Sequence, residues 1–486
     1  MLCKLLTKQN RNMELTNEGT QEPSYKLIRI VFLSVIAALG GFLFGFDSGV
    51  INGTVDALQQ SFDSDAVGTG FNVASMLLGC AVGAFFAGNL ADKFGRKPVM
   101  MVTAAVFIVS AYGSGMSGSS AEFVFYRVLG GLAVGAASVL APAYISEIAP
   151  ASIRGRLATL QQMMIVLGLF VAFLSNYLIA NTAGSAMNEF WLGFSAWRWM
   201  FWMEIIPASL FFGGLIFIPE SPRFLVAAGR EKQANSVLSS MAYNFDFSAK
   251  VAEIKTTLRL DRKPGLSDLI SNATGKLHPI VWVGIGLAVL QQFTGINVVF
   301  YYGSTLWQAA GFTEADALLV NVISGTVNVG FTVVAIMLID KIGRKPLLLV
   351  GSLGQAVMLG IMAVLFATAP IGESGNLQFA GNNGIYALIA ANAYIAFFAV
   401  SWGPVMWVML GEMFPNQIRG AALAVCGLMQ WGANFMITMS FPVLLASVGL
   451  GLSYGIYAAF GLIAYLFVKK LVNETRGRSL EEMTNE

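Results

Sequence analysis

Twelve apolar runs, each about twenty residues long, constrain this chain more than any other feature. A hydrocarbon core about 30 Å thick is crossed by a helix of about 20 apolar residues. Inside it every backbone N–H and C=O must be satisfied within the segment, which selects helices. The runs lie near 28–56, 67–90, 98–117, 122–143, 157–180 and 198–218, then 280–309, 316–339, 347–369, 385–411, 420–442 and 448–470. Composition agrees, with 56% of residues hydrophobic and 12% charged. That is about half the charged share of a soluble protein, too little to cover a globule in water. A net charge of +2 offers no basic field for nucleic acid. His278 is the single histidine, and Cys3, Cys80 and Cys426 are scattered, so neither a metal cluster nor a disulfide framework follows. The expected fold is an all-α polytopic membrane protein with twelve transmembrane helices.

Loop charges set the expected orientation. Lys93, Arg96, Lys97, Arg154, Arg156, Lys341, Arg344, Lys345 and Arg419 fall in loops on one side, with both tails. The alternate loops near 57–66, 113–121, 181–197, 310–315, 370–384 and 443–447 contain no Lys or Arg. The positive-inside rule places both termini and the basic loops in the cytoplasm of a cell whose inner membrane holds the chain. The polar first 25 residues show no cleavable signal region. The expected division is a tail at 1–27, a first half at 28–218, a cytoplasmic linker at 219–279, a second half at 280–470 and a tail at 471–486. In the linker Leu225, Val226, Val237, Leu238, Val251, Ile254 and Leu258 recur at helical spacing, which predicts short amphipathic helices.

The halves repeat each other. Asp92-Lys93-Phe94-Gly95-Arg96-Lys97-Pro98 returns 248 residues later as Asp340-Lys341-Ile342-Gly343-Arg344-Lys345-Pro346. Glu147, seven residues before Arg154, returns as Glu412, seven before Arg419, each pair spanning a proline. Both copies of each motif lie on the basic side, so the repeats are parallel. Two six-helix halves about an axis along the membrane normal enclose a midplane site and rock about it.

These motifs resemble the major facilitator superfamily, and within it the sugar porters. The more specific set is Pro219-Glu220-Ser221-Pro222-Arg223 after span six, Gln291-Gln292-Phe293-Thr294-Gly295-Ile296-Asn297 in span seven, and Gly403-Pro404-Val405-Met406-Trp407 in span ten. The resemblance runs from about residue 28 to 480. One departure is Asn473-Glu474-Thr475-Arg476-Gly477, where the family has Pro in the first place; its loss is expected to loosen the end of span twelve.

Three ionisable residues sit clearly inside spans: Asp47, Arg127 and Glu204. Each costs at least about 2.5 kcal/mol at a helix centre, which makes each a functional suspect. The resemblance implies that Asp47 and Arg127 form the proton-coupling pair of symporters; facilitators typically have Asn at the first position. A purely structural ion pair is the alternative. The family places Glu204 towards the cytoplasmic end, where it either helps proton release or bonds neighbouring helices.

Amides suit a neutral polyol because one group both donates and accepts. Gln291, Gln292 and Asn297 share span seven, yet Gln292 and Asn297 are about 140° apart on an ideal helix. Gly295 between them permits a break that lets them converge. Gln161, Gln162, Asn328, Gln430 and Asn434 are further intramembrane amides, with Trp407 and Trp431 the nearest aromatic lids. A lone buried amide is more often interhelical glue. The resemblance implies that Gln162, Gln291, Gln292, Asn297, Asn328, Trp407 and Gln430 contact sugar, with Phe398 and Trp431 lining the site.

The resemblance also gathers Arg96, Glu147, Arg154, Glu220, Arg223, Arg344, Glu412, Arg419 and Glu474 into a cytoplasmic salt-bridge gate that holds the halves together while the site faces outward. The plainer alternative is that these charges only mark topology. Xylose symporters of the family have Gln where this chain has Leu169 and tend to have Leu where it has Phe300, whereas glucose transporters carry an aliphatic residue and Phe. The expected activity is proton-coupled import of a monosaccharide, D-glucose first, by a monomer without cofactor or metal. Xylose or galactose symport and facilitated diffusion are the alternatives; no nucleophile–base set suggests an enzyme.

Overall fold

The computed structural model describes residues 24–243, 246–260, 265–270, 275–372, 376–415 and 417–476. Span one is the helix Leu27–Val50, extended by a 3-10 turn over Ile51–Gly53. Spans two to five are Ala66–Phe94, Arg96–Met116, Ser120–Ile148 and Ala151–Ala183. Span six is two pieces, Ala196–Trp202 and Ile205–Phe217, meeting at Met203 and Glu204. Span seven is three, Pro279–Phe293, Ile296–Tyr301 and Gly303–Ala309. Spans eight and nine are Glu314–Ile342 and Arg344–Thr368, and span ten divides into Asn383–Val400 and Trp402–Met413. The helix Arg419–Leu471 has 53 residues. At 1.5 Å per residue it would reach about 80 Å, far beyond a bilayer core. Gly449, at φ 74° and ψ 178°, breaks it into spans eleven and twelve.

Local chemistry explains the helix ends. At the face opposite the basic loops, Asp65, Ser119 and Thr313 accept from backbone N–H groups and cap spans two, four and eight. At the basic face, Gly95 and Gly343 both adopt φ 103°, so one residue turns span two into three and span eight into nine. Only glycine takes that backbone without strain, which is why the two repeated loops share it.

The halves meet where span five packs on eight and span two on eleven. The linker forms short helices at Pro222–Ala227, Glu231–Ser240 and Ser248–Leu260, whose apolar faces join at Leu225, Val226, Ala234 and Val251. Two small strand pairs were not expected from the sequence: Ser24–Tyr25 with Ala242–Tyr243, and Glu189–Trp191 with Phe194–Ser195. The strands have two or three residues, too few for an alternating pattern to register.

Candidate proton and substrate site

The buried charges converge. Asp47 and Arg127 are 2% and 1% exposed, and Arg127 Nη1 donates to Asp47 Oδ1. Arg127 Nη2 donates to the Asp47 carbonyl oxygen at 3.3 Å, and its guanidinium lies 5.7 Å from the Phe201 ring centroid. Glu204 is 2% exposed, at the break in span six, with its carboxyl within hydrogen-bonding reach of Asp47. As carboxylates both would only accept. Each leaves a buried oxygen, Asp47 Oδ2 and Glu204 Oε1, without a donor. Glu204 was expected towards the basic face. It lies instead in the opposite half of the bundle, because span six begins there at Ala196 and Glu204 follows within about three turns.

The amides of span seven also converge, because the helix breaks at Gly295, where φ is 82°. Gln292 Oε1 accepts from Asn297 Nδ2 at 2.6 Å. Gln291 Oε1 accepts from Gln292 Nε2 at 3.0 Å and from Gln430 Nε2 at 3.1 Å, while its own Nε2 donates to the Trp402 carbonyl at 2.8 Å. Gln430 Oε1 is buried without a donor. Asn328 is buried in span eight, and Gln162 is half-buried in span five. Trp431 packs on Phe44 of span one, with ring centroids 5.7 Å apart. Phe398 packs against both large apolar clusters. Trp407 is 40% exposed in span ten; Trp402, not singled out from the sequence, meets the amide cluster through its carbonyl and donates its indole N–H to Ser352 at 2.9 Å. Leu169 lies against Gly45 and Gly49 of span one, and Phe300 is buried against Phe173 at 6.3 Å.

At the basic face the charges form two matching clusters, each within one half. Arg96 pairs with Glu147 through Nε at 3.2 Å and Nη2 at 3.1 Å, and with Asp92 at 3.0 Å. Arg344 pairs with Glu412 at 3.0 Å and 2.7 Å, and with Asp340 at 3.1 Å. Glu220 accepts from the backbone N–H of Arg96 and Lys97, and Glu474 accepts from those of Arg344 and Lys345. Ser221 Oγ donates to Glu147 and Thr475 Oγ1 to Glu412. The missing proline at Asn473 therefore leaves the two working residues of that motif in place.

One pairing suggested by the repeat is absent in this conformation. Arg419 does not pair with Glu412; its Nε and Nη2 donate to the Phe414 carbonyl at 3.2 Å and 3.0 Å. The seven-residue interval crosses the end of span ten, whose last carbonyls are unpaired and nearer to the guanidinium. Glu147 is taken by Arg96, and the Arg154 side chain lies outside the described residues. Arg223 is exposed.

Among the described residues, hydrogen bonds that join the halves lie at the opposite face, on residues not singled out from the sequence. Asn52 Nδ2 donates to the Phe300 carbonyl at 2.8 Å, and its Oδ1 accepts from Asn321 Nδ2 at 2.7 Å and the Ser304 N–H at 3.2 Å. Asp56 accepts from Thr305 and Gln308. Glu314 accepts from Ser185 Oγ and the Ala186 N–H, both at 2.8 Å. The available signal was the polar residues near the span ends, Asn52, Asp56, Gln308 and Asn321, with Glu314 in a loop that lacks Lys and Arg. This face is sealed.

A sugar (and other) transporter family model matches residues 33–486. The chain belongs to the sugar transporter family. It is 52% identical over 455 residues to a glucose transport protein of Synechocystis, covering 93% of this chain and 97% of that one. It is 39% identical over 492 residues to the D-xylose-proton symporter of Escherichia coli, covering 94% and 96%. Among solved structures, the inward open conformation of the Escherichia coli xylose transporter XylE aligns with TM-score 0.80 at 37% identity, covering 94% of this chain and 99% of that one. The chain is thus a multi-pass membrane protein of the major facilitator fold.

Proposed function

We propose that this chain is a proton-coupled symporter that imports a monosaccharide, D-glucose first, by alternating access. The observation that carries the reading is Asp47 held by Arg127 with Glu204 against it, all three buried, in a bundle that also gathers four amides around the break in span seven. Two carboxyls in contact bond each other only when one carries a proton. One guanidinium balances one carboxylate, so the trio stores a single proton without net charge. When that one proton sits on Asp47, Arg127 is released from it towards the Glu204 carboxylate, and movement of Arg127 alters the packing of span four on spans one and two. Coupling follows if the protonated and unprotonated trio favour different open faces.

Gln291, Gln292, Asn297 and Gln430 form the sugar contacts of this proposal, with Gln162 and Asn328 from the facing spans. Their bonds to one another are exchanged for bonds to sugar hydroxyls, at little net cost because each amide keeps both a donor and an acceptor role. Leu169 and Phe300 favour a hexose over xylose by offering apolar surface to the hydroxymethyl group; the glucose transport protein of Synechocystis supports the same choice. The basic loops and both termini lie in the cytoplasm, the membrane is the inner membrane, and the monomer is the working unit.

Uptake of labelled glucose, xylose and galactose into proteoliposomes, with and without an inward proton gradient, tests this. Accumulation of glucose above its external concentration only with the gradient is expected. Equilibration without accumulation under either condition makes the chain a facilitator.

A further inference from the structure

The carboxylate of Asp56 joins the halves at the sealed face, and nothing in the coupling or sugar site uses it. Asp56 stands in the first turn of the short helix Val55–Ser61, just past the end of span one. Its Oδ1 accepts from Thr305 Oγ1 at 2.8 Å and its Oδ2 from Gln308 Nε2 at 2.6 Å. Thr305 and Gln308 are three residues apart on the last piece of span seven, Gly303–Ala309, and so share a face. That piece is cut from the rest of span seven at Tyr302, and again at Gly295, so it can move without dragging the amide cluster.

We propose that Asp56 is a positioning residue of the transport cycle, the pin that holds the face opposite the basic loops shut through Thr305 and Gln308. Three observations carry this. Both bonds are side chain to side chain and cross from one half to the other, so they break as the halves separate. Both are charge-assisted, the stronger class of hydrogen bond. Both donors are neutral, so opening releases a carboxylate, a hydroxyl and an amide to water and strands no buried cation. Water is at hand: the pin borders an open depression of about 540 Å³ also lined by Gln59, Asp63 and Asn376. A latch of this kind is strong enough to bias two states and weak enough to reverse. The Asn52 bonds nearby also cross between the halves and break with them, but they join neutral groups only and lack the charge assistance of the Asp56 pair.

The proposal rests on the alternating-access reading, but its test needs neither sugar nor a proton gradient. Ser324 lies on span eight between Asn321 of the seal and Asn328 of the candidate site, on one helical stripe, and is buried. With the native cysteines replaced by alanine, Ser324→Cys reports opening by its reaction with a membrane-impermeant maleimide applied from the sealed side. Asp56→Ala is expected to speed labelling roughly fivefold or more, the lower end of ordinary coupling between states. Gln308→Glu sets two carboxylates against each other and is expected to act in the same direction. Combining Asp56→Asn with Gln308→Glu reverses donor and acceptor and is expected to return labelling to within about twofold of the parent, well below ordinary coupling. Unchanged labelling in either single variant overturns the proposal. So does a swap that labels as fast as Gln308→Glu, which identifies a general loosening. Should Asp56→Ala fail to purify as a monodisperse protein, Gln308→Glu and the swap decide alone. A chain that carried no glucose would still give these rates.

Discussion

Asp47 has one cationic partner and one acidic neighbour, and that arithmetic makes a sharp prediction at the residue scale. Asp47→Asn keeps the size and the hydrogen bonding but cannot take up a proton. It is expected to abolish glucose accumulation driven by a pH gradient while leaving glucose exchange largely intact; accumulation that survives moves the coupling site elsewhere. Selectivity gives a second. Leu169 packs against Gly45 and Gly49, so a Gln there has little room to turn away. A glucose hydroxymethyl that leaves the new amide unpaired costs about 1–3 kcal/mol, roughly five- to 150-fold in affinity. Xylose leaves space for a water, so Leu169→Gln and Phe300→Leu are both expected to lower the glucose-to-xylose preference in competition uptake. An unchanged preference in both removes these positions from the selectivity argument. Asp47 and Arg127 were legible in the sequence because a charge in an apolar run has so few explanations. Glu204 was misplaced because its depth was taken from resemblance. Counting eight residues inward from Ala196 puts it about 12 Å from the opposite end of the span.

At the scale of elements, the break in span seven was legible and the salt-bridge partners were not. Gly295 stood between two amides that a straight helix would hold apart, and a glycine there permits the break that brings them together. The partner of Arg419 depended on where span ten ends, and helix ends are the least certain feature of a sequence. The pairing of Glu474 was hidden for a related reason: it binds backbone N–H groups, which no side-chain pattern records. Burial would raise the Glu474 pKa, but the N–H groups of Arg476, Arg344, Lys345 and Thr475 hold it below its ordinary value of 4.5. The sign follows from that depression. The charged cap contributes fully above the unfolded pKa and is lost as the pH falls through the folded one. Its worth is on the order of 1 kcal/mol, the scale of a helix N-cap, after solvent screening of a partly exposed group. Glu474→Ala is expected to lower the melting temperature at pH 7, with the gap from the parent narrowing below about pH 4.5, where an ordinary Glu is half protonated. A gap independent of pH would show that the side chain stabilises by packing alone.

At the scale of the molecule, and among the described residues, the two arginine clusters each stay within one half, while hydrogen bonds that cross between halves gather at the other face. On the alternating-access proposal, this is the arrangement expected of two bodies that hinge at the basic face. The matching clusters, Arg96 with Glu147 and Glu220, and Arg344 with Glu412 and Glu474, keep each body intact in either state. Arg419 is the element free to change role. Its bonds to the Phe414 carbonyl are short-range and part-buried, and they can be exchanged for an acid of the other half when the basic face closes. An arginine that only capped its own turn would favour neither state. One that gains a cross-half partner favours the closed basic face, and removing it shifts the population towards the conformation described here. Arg419→Ala is therefore expected to slow labelling of Ser324→Cys from the sealed side, the opposite sign to Asp56→Ala. A shift of about 1–3 kcal/mol, five- to 150-fold in rate, is the range for such a coupling. Arg154→Ala, at the equivalent place in the first half, is expected to act in the same direction. Labelling rates unchanged in both would reduce these two arginines to markers of topology, and the balance between states would then fall to the sealed face and the Asp47 trio.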